Sequence, residues 1–326
     1  MISPKALSTD QDLIQLLTIA LEHEWAVSFE YLFHAYSMPK GMYFYPDPVL
    51  LAPTDVRGQT IQIAIDEMYH SQQFALVLHG LGVSPSFKTD ELIRFPRIVD
   101  NLKRDKNTED KVADLYQSAR FPEGFRPEVN NMLLNIAGDE VRHGHQFQAM
   151  IDTMTGRGEG EAGIIRPDPA AEDKEEVRLL HDLIQKENDL VHRYLYFVFL
   201  FGDHQDLGAR LFKNSIDHMR HWDKNSGLLI RLGSLIRIEN AEKRPDGSER
   251  SVKPMPDAFP REDRRTALDT LLAAEERLIA LYEKAVSLAP SAEVRDQLTF
   301  HLSQNREHRL TQDRLRANAL RIKGLK

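Results

Sequence analysis

The chain has 326 residues, 41% of them hydrophobic, a formal charge of −8 from 42 basic and 50 acidic side chains, and no cysteine. The acidic balance leaves no basic footprint for nucleic acid. The longest apolar stretch, Tyr194 to Phe201, is far below the ~20 residues of a membrane span. Without cysteine there are no disulfides, zinc–thiolate sites or Cys-ligated iron–sulfur clusters. Nucleic acid and membrane are therefore excluded as partners, Met1 to Asp10 carries no apolar leader so the cytoplasm is the default location, and any metal must be held by His, carboxylate or tyrosinate.

Helical periodicity dominates and long alternating strand patterns are absent, so the fold class is all-α. The pattern predicts helices over 11–37, 59–81, 108–119, 127–154, 173–204, 207–237, 262–288 and 291–320, with Pro/Gly-rich breakers at 38–58, 82–96, 121–127 and 243–260. Short links favour antiparallel neighbours, which makes four hairpins and two four-helix bundles. The segment Thr155 to Glu172, rich in Gly, Pro and charge, is the expected boundary, giving domains of 1–155 and 173–326.

Four of the nine tyrosines follow a glutamate by seven residues: Glu24/Tyr31, Glu109/Tyr116, Glu187/Tyr194 and Glu275/Tyr282. Random placement of the chain's glutamates gives roughly 0.7 such pairs. Each pair falls in the first helix of a hairpin. Seven residues are about 20° short of two turns, so Glu and Tyr share a face roughly 10 Å apart. That face is apolar, with Leu13, Leu17, Ala20 and Val27 around Glu24, and Leu180, Leu183 and Val191 around Glu187. A carboxylate on such a stripe needs a neutralising partner.

The second helices of the first two hairpins carry Glu67-Met68-Tyr69-His70 and Glu140-Val141-Arg142-His143. Spacing i, i+3 sets carboxylate and imidazole on one face, close enough to share an ion. Two such helices plus a Glu from each of two others put four carboxylates and two imidazoles around two cations, the arrangement of ferritin-like di-iron and di-manganese proteins. Leu13 to about Met154 resembles the ferritin-like superfamily, where rubrerythrins and ferritins pair a ligand Glu with Tyr seven residues on and then Glu-x-x-His. The resemblance implies two tandem ferritin-like bundles, with ligands Glu24, Glu67, His70, Glu109, Glu140 and His143 in the first and Tyr31 near the metals. EHEWAVSFEYL, DEMYH and LGVSP are also similar to ferritin-like modules attached to bisindole-pigment biosynthetic enzymes, over too short a span to assign a substrate.

The second half departs from this pattern in an ordered way. Aligning AIDEMYH (64–70) with SIDHMRH (215–221) puts His218 at the place of Glu67 and His221 at that of His70, while Asn305 and His308 take the places of Glu140 and His143. The set Glu187, His218, His221, Glu275 and His308 has two negative charges, enough for one divalent ion. Either a single nitrogen-rich site for iron, manganese, zinc or copper, or a bundle kept as scaffold, is expected.

Several polar residues are set aside. His145 points off the ligand face, Glu22 and Glu30 sit 160–240° round the helix from Glu24 by ~100° per residue, Glu30 with His34 reads as a surface pair, and Trp25 and Trp222 read as packing. His301, one turn before Asn305, is the candidate supporting group. The expected function is a di-iron enzyme, manganese being the alternative metal. It would use O2 or peroxide to oxidise a small organic molecule, with Tyr31 or Tyr116 giving a hydrogen bond or an electron and the connections 38–58 and 82–107 forming a lid. The alternative is iron storage, detoxification or peroxide scavenging; a homodimer is the assembly left open.

Overall fold

A computed structural model describes residues 8–85, 87, 91–119, 124–201, 205–238, 241–251 and 264–321. The expected helix ends at 202–204 and 262–263, and breaker residues 86, 88–90, 121–123 and 252–260, lie outside them. The described residues are mostly helical: α1 (Asp10–Tyr36), α2 (Val56–Gly80), α3 (Ile98–Ser118), α4 (Pro127–Gly156), the short α5 (Pro169–Glu172), α6 (Glu175–Leu200), α7 (Gln205–Arg231), α8 (Arg264–Ser287) and α9 (Ala292–Arg321). Five three-residue strands, β1 (Phe44–Pro46), β2 (Pro53–Asp55), β3 (Leu92–Arg94), β4 (Ala241–Lys243) and β5 (Glu249–Ser251), make an antiparallel β1–β2 pair and a β3–β5–β4 sheet. No helix among the described residues is long and apolar enough to cross a membrane.

Local chemistry sets the helix starts. Thr9 and Asp12 form a capping box at α1, each side chain bonding the other's backbone N–H. Asp55 accepts from Gly58 N–H to start α2, and Pro127, which has no N–H to satisfy, opens α4. The chain groups into two units, residues 1–164 with 238–255, and 165–237 with 256–326. In the first, α1 packs along α2 and α3 along α4, with α1 against α3 and α2 against α4; in the second, α6/α7 and α8/α9 pair, with α6 against α8 and α7 against α9. Leu13, Leu17, Ile63, Phe74, Leu133 and Phe147 fill the first core, and Leu180, Leu183, Val191, Leu278 and Trp222 the second. Each large apolar side chain contributes about 1.5–3 kcal/mol by burial. Trp25, too, is wholly buried.

Three expectations are corrected. Residues 238–255, assigned by sequence to the second domain, group with the first because β5 pairs with β3, Leu92 opposite Ser251. The helix expected at 108–119 starts ten residues earlier, at Ile98, so the supposed connection 82–107 is partly helix. Its buried face alternates apolar Ile98, Val99 and Leu102 with polar Asn101, Asp105 and Glu109, which hides the periodicity. Finally, Glu30 and His34 are no surface pair. Both are buried, Glu30 accepting from Arg104 Nε at 2.6 Å and from Ile93 N–H at 3.0 Å, and His34 facing Asp105 at 2.8 Å with Nδ1 and Ile93 O at 2.7 Å with Nε2. The early start of α3 and strand β3 cover this side of α1. Glu30→Ala leaves a buried N–H and a half-buried guanidinium unpaired, so denaturant unfolding should show a loss of about 2–4 kcal/mol; a loss below about 0.5 kcal/mol contradicts the pairing.

Candidate metal centres

All six residues singled out in the first half converge between α1, α2, α3 and α4. None is more than 2% exposed. They form two groups, Glu24, Glu67, His70, Glu140 and Glu67, Glu109, Glu140, His143, in each of which one ligand atom per residue lies within 4.8 Å of the others. Glu67 and Glu140 belong to both. His70 Nδ1 is 2.8 Å from Glu67 Oε2 and 3.1 Å from Glu140 Oε1, while His143 Nδ1 is 2.8 Å from Glu67 Oε1 and 3.9 Å from Glu140 Oε2. Each shared carboxylate thus turns one oxygen to each half. Glu24 Oε2 faces His70 Nδ1 at 3.8 Å, and Glu109 Oε2 faces His143 Nδ1 at 3.4 Å.

The tyrosines lock the outer oxygens, and they do so crosswise. Tyr31 donates to Glu109 Oε1 and Tyr116 to Glu24 Oε1, each phenol serving the other helix's glutamate. Burial and the neighbouring carboxylates raise both phenols well above 10, so they remain donors at neutral pH.

Aspartates that the sequence reading passed over fix the imidazoles. His70 Nε2 is 3.3 Å from Asp139 Oδ2, and His143 Nε2 is 3.2 Å from Asp66 Oδ2. An Asp accepts the Nε2–H, which fixes the tautomer and turns the Nδ1 lone pair inward. Arg142 spans both aspartates, 3.1 Å from Asp66 and 3.0 Å from Asp139. The signal was present: an Asp directly precedes each Glu-x-x-His glutamate, and each serves the histidine of the other helix. Asp139→Asn should weaken the ion on the His70 side about 10–100-fold, read by competition with a chromophoric chelator; unchanged affinity contradicts this support.

Electrostatics fits cations here. Burial and the charge of Glu109 push Glu67 up to about 7, and burial with the charges of Glu67, Glu24 and Glu109 raises Glu140 well above the carboxylate range. Burial also works against Glu24, but the adjacent His70 and Glu67 side chains bring it down to about 2. Carboxylates this close cannot all ionise unless positive charge stands among them. Glu67 Oε1, Glu109 Oε2, Glu140 Oε1 and His143 Nδ1 are buried, and their close approaches to neighbouring donors and acceptors are not aligned as hydrogen bonds, as suits atoms that face an ion.

The second unit repeats the frame with its own substitutions. Tyr194 donates to Glu275 Oε1 at 2.6 Å and Tyr282 to Glu187 Oε1 at 2.5 Å, again crosswise. His308 Nε2 is 3.3 Å from Asp217, and His221 Nε2 is 2.9 Å from Gln304. His218, at the place of Glu67, lies between the halves, Nδ1 2.5 Å from Glu187 and Nε2 3.0 Å from Glu275. Burial opposes charge on His218, yet the Glu275 and Glu187 carboxylates raise its imidazole to about 10. Two groups of potential ligands result, Glu187, His218, His221 and His218, Glu275, His308. His301 stacks on His221 at 4.3 Å and its Nδ1 is 3.4 Å from the Tyr282 hydroxyl. His145 is exposed and Glu22 half-buried. Comparison of the chain with protein-family models, curated proteins and solved structures gives no match.

Proposed function

We propose that the first unit is a ferritin-like di-iron centre that uses O2 or peroxide to oxidise a small organic molecule. The observation that carries this reading is the sharing of Glu67 and Glu140, each with one oxygen in each half of the site. Two divalent ions there would take Glu24 and His70 on one side and Glu109 and His143 on the other, and four carboxylates balance their charge. Hard oxygen donors with two imidazoles suit iron or manganese. Bound iron supplies one-electron redox chemistry toward dioxygen that these side chains lack.

The protein's own part is positioning and proton placement. Tyr31 and Tyr116 hold Glu109 and Glu24 by one oxygen, leaving the other for the ion. Each phenol proton sits on a carboxylate edge, one hydrogen bond from the centre, so that an electron given by the ring to oxidised iron held there would leave the phenol proton with the glutamate. Asp66, Asp139 and Arg142 keep both imidazoles directed inward.

Peroxide scavenging or iron detoxification is the second reading, favoured by the near-complete burial of all six residues, which admits O2, peroxide or ions more readily than an organic molecule. Anaerobic loading with Fe(II), followed by an oxygen pulse with optical and oxygen-uptake readout, tests both. The oxidase reading expects two ions in the first unit, oxidised together, and further oxygen uptake only with an organic co-substrate. Continued oxidation of added Fe(II) far beyond the bound ions supports detoxification, and failure to bind iron overturns both.

A further inference from the structure

The second unit keeps the frame of the first but changes what faces inward, and the change is one-sided. On the His308 side, Asp217 can only accept, so it takes the Nε2–H of His308 at 3.3 Å and leaves the Nδ1 lone pair facing Glu275, 3.6 Å away. His218 gives its Nδ1–H to Glu187 at 2.5 Å and turns Nε2 to the same Glu275, 3.0 Å away. Two imidazole nitrogens thus meet one carboxylate. Glu275 Oε2, His308 Nδ1 and both amide atoms of Asn305 are buried without a hydrogen-bond partner, and Asn305 stands one turn before His308 on the same face of α9.

On the His221 side the carboxylate is instead fully engaged. Glu187, like Glu275, meets two imidazole nitrogens, but both its oxygens already accept, Oε1 from Tyr282 and His221 and Oε2 from His218. Behind His221, Gln304 sets Oε1 2.9 Å from Nε2, but an amide, unlike the carboxylate of Asp217, can offer the ring either its oxygen or its nitrogen. Nothing then obliges His221 to present a lone pair inward, as Asp139 obliges His70 in the first unit.

We infer that the second unit binds one divalent transition-metal ion, held on the His308 side by His218 Nε2, His308 Nδ1 and Glu275 with Asn305 beside them, while the His221 side is closed by its own hydrogen bonds. Two imidazoles and one carboxylate with an amide oxygen form a donor set for zinc, cobalt or iron(II) and a poor one for calcium or magnesium. This site stands whether or not the first unit is a di-iron oxidase.

The test uses the full chain carrying Glu67→Ala and Glu140→Ala, so that the first unit contributes no tight site, titrated with Co(II) while visible d–d absorption and bound cobalt are followed. One ion per chain is expected. His221→Ala should retain it, His308→Ala should weaken it at least 100-fold, and Asp217→Asn, which preserves shape, should weaken it about 10–100-fold. Circular dichroism checks that each variant keeps its helices. No bound cobalt, two ions per chain, or equal loss on His221→Ala and His308→Ala in folded protein overturns the assignment. An intact cobalt site in a chain whose first unit fails to bind iron counts against the proposed function alone.

Discussion

Alanine at Glu67 is expected to remove both ions from the first unit, whereas alanine at Glu24 removes one. Glu67 Oε2 lies 2.8 Å from the His70 nitrogen and Oε1 2.8 Å from the His143 nitrogen, so one substitution takes a donor from each position. Glu24 reaches the His70 side alone. Losing a direct ligand exceeds the 10–100-fold cost of losing a group behind a ligand, so each ion should weaken by more than about 100-fold and iron-dependent oxidation fall below about 1%. The fold should survive, because the substitution removes one of four mutually repelling buried carboxylates. Elemental analysis after gel filtration decides the matter: one ion kept tightly by Glu67→Ala contradicts the shared-carboxylate geometry.

Removing metal should cost the first unit much of its stability. An ion present at 1,000 times its dissociation constant stabilises by about 4 kcal/mol, and each kcal/mol moves the midpoint of a unit of this size by roughly 2–4 °C. Two ions therefore imply a fall on the order of 15 °C or more on chelation. The chelated protein should also have a characteristic pH dependence. Glu67, pushed up to about 7 by burial and by Glu109, keeps in the folded state a proton that the unfolded chain releases near 4.5, so stability falls as pH rises from ~4.5 to ~7. His70 and His143 stay below full deprotonation well past 6.5 because Glu67 and the other carboxylates outweigh burial; their stabilisation is complete below ~6.5 and declines above it. Glu24, held at about 2, has the opposite sign, but its window lies below 4.5. Thermal melts with chelator should therefore weaken from pH 5 to pH 8. A midpoint indifferent to chelator, or rising over that range, contradicts a cation-filled centre.

Most helices were legible because apolar residues recur at helical spacing around Glu24, Glu67, Glu140 and Glu187. The start of α3 was not, since Asn101, Asp105 and Glu109 occupy its buried face and read as solvated charge. Asp105 is buried for His34, and Glu30 for Arg104 and Ile93, partners 63 to 74 residues away that no local window contains. The grouping of 238–255 with the first unit has the same cause, Arg94 meeting Glu249 across 155 residues. At the site, the glutamates and histidines were readable from spacing. The crossing of Tyr31 to Glu109 and Tyr116 to Glu24 was not, because spacing along one helix says nothing about which helix faces it. Asp66 and Asp139 were adjacent to the motif throughout, and their role follows only once two helices stand opposite each other.

Anomalous diffraction at the iron edge, from crystals grown with Fe(II) under anaerobic conditions, tests the central claim most directly. Two peaks about 3.5–4 Å apart, lying between Glu67 and Glu140 with His70 and His143 at either end, are the expected result. A single peak there, or none with iron bound elsewhere, would contradict the account.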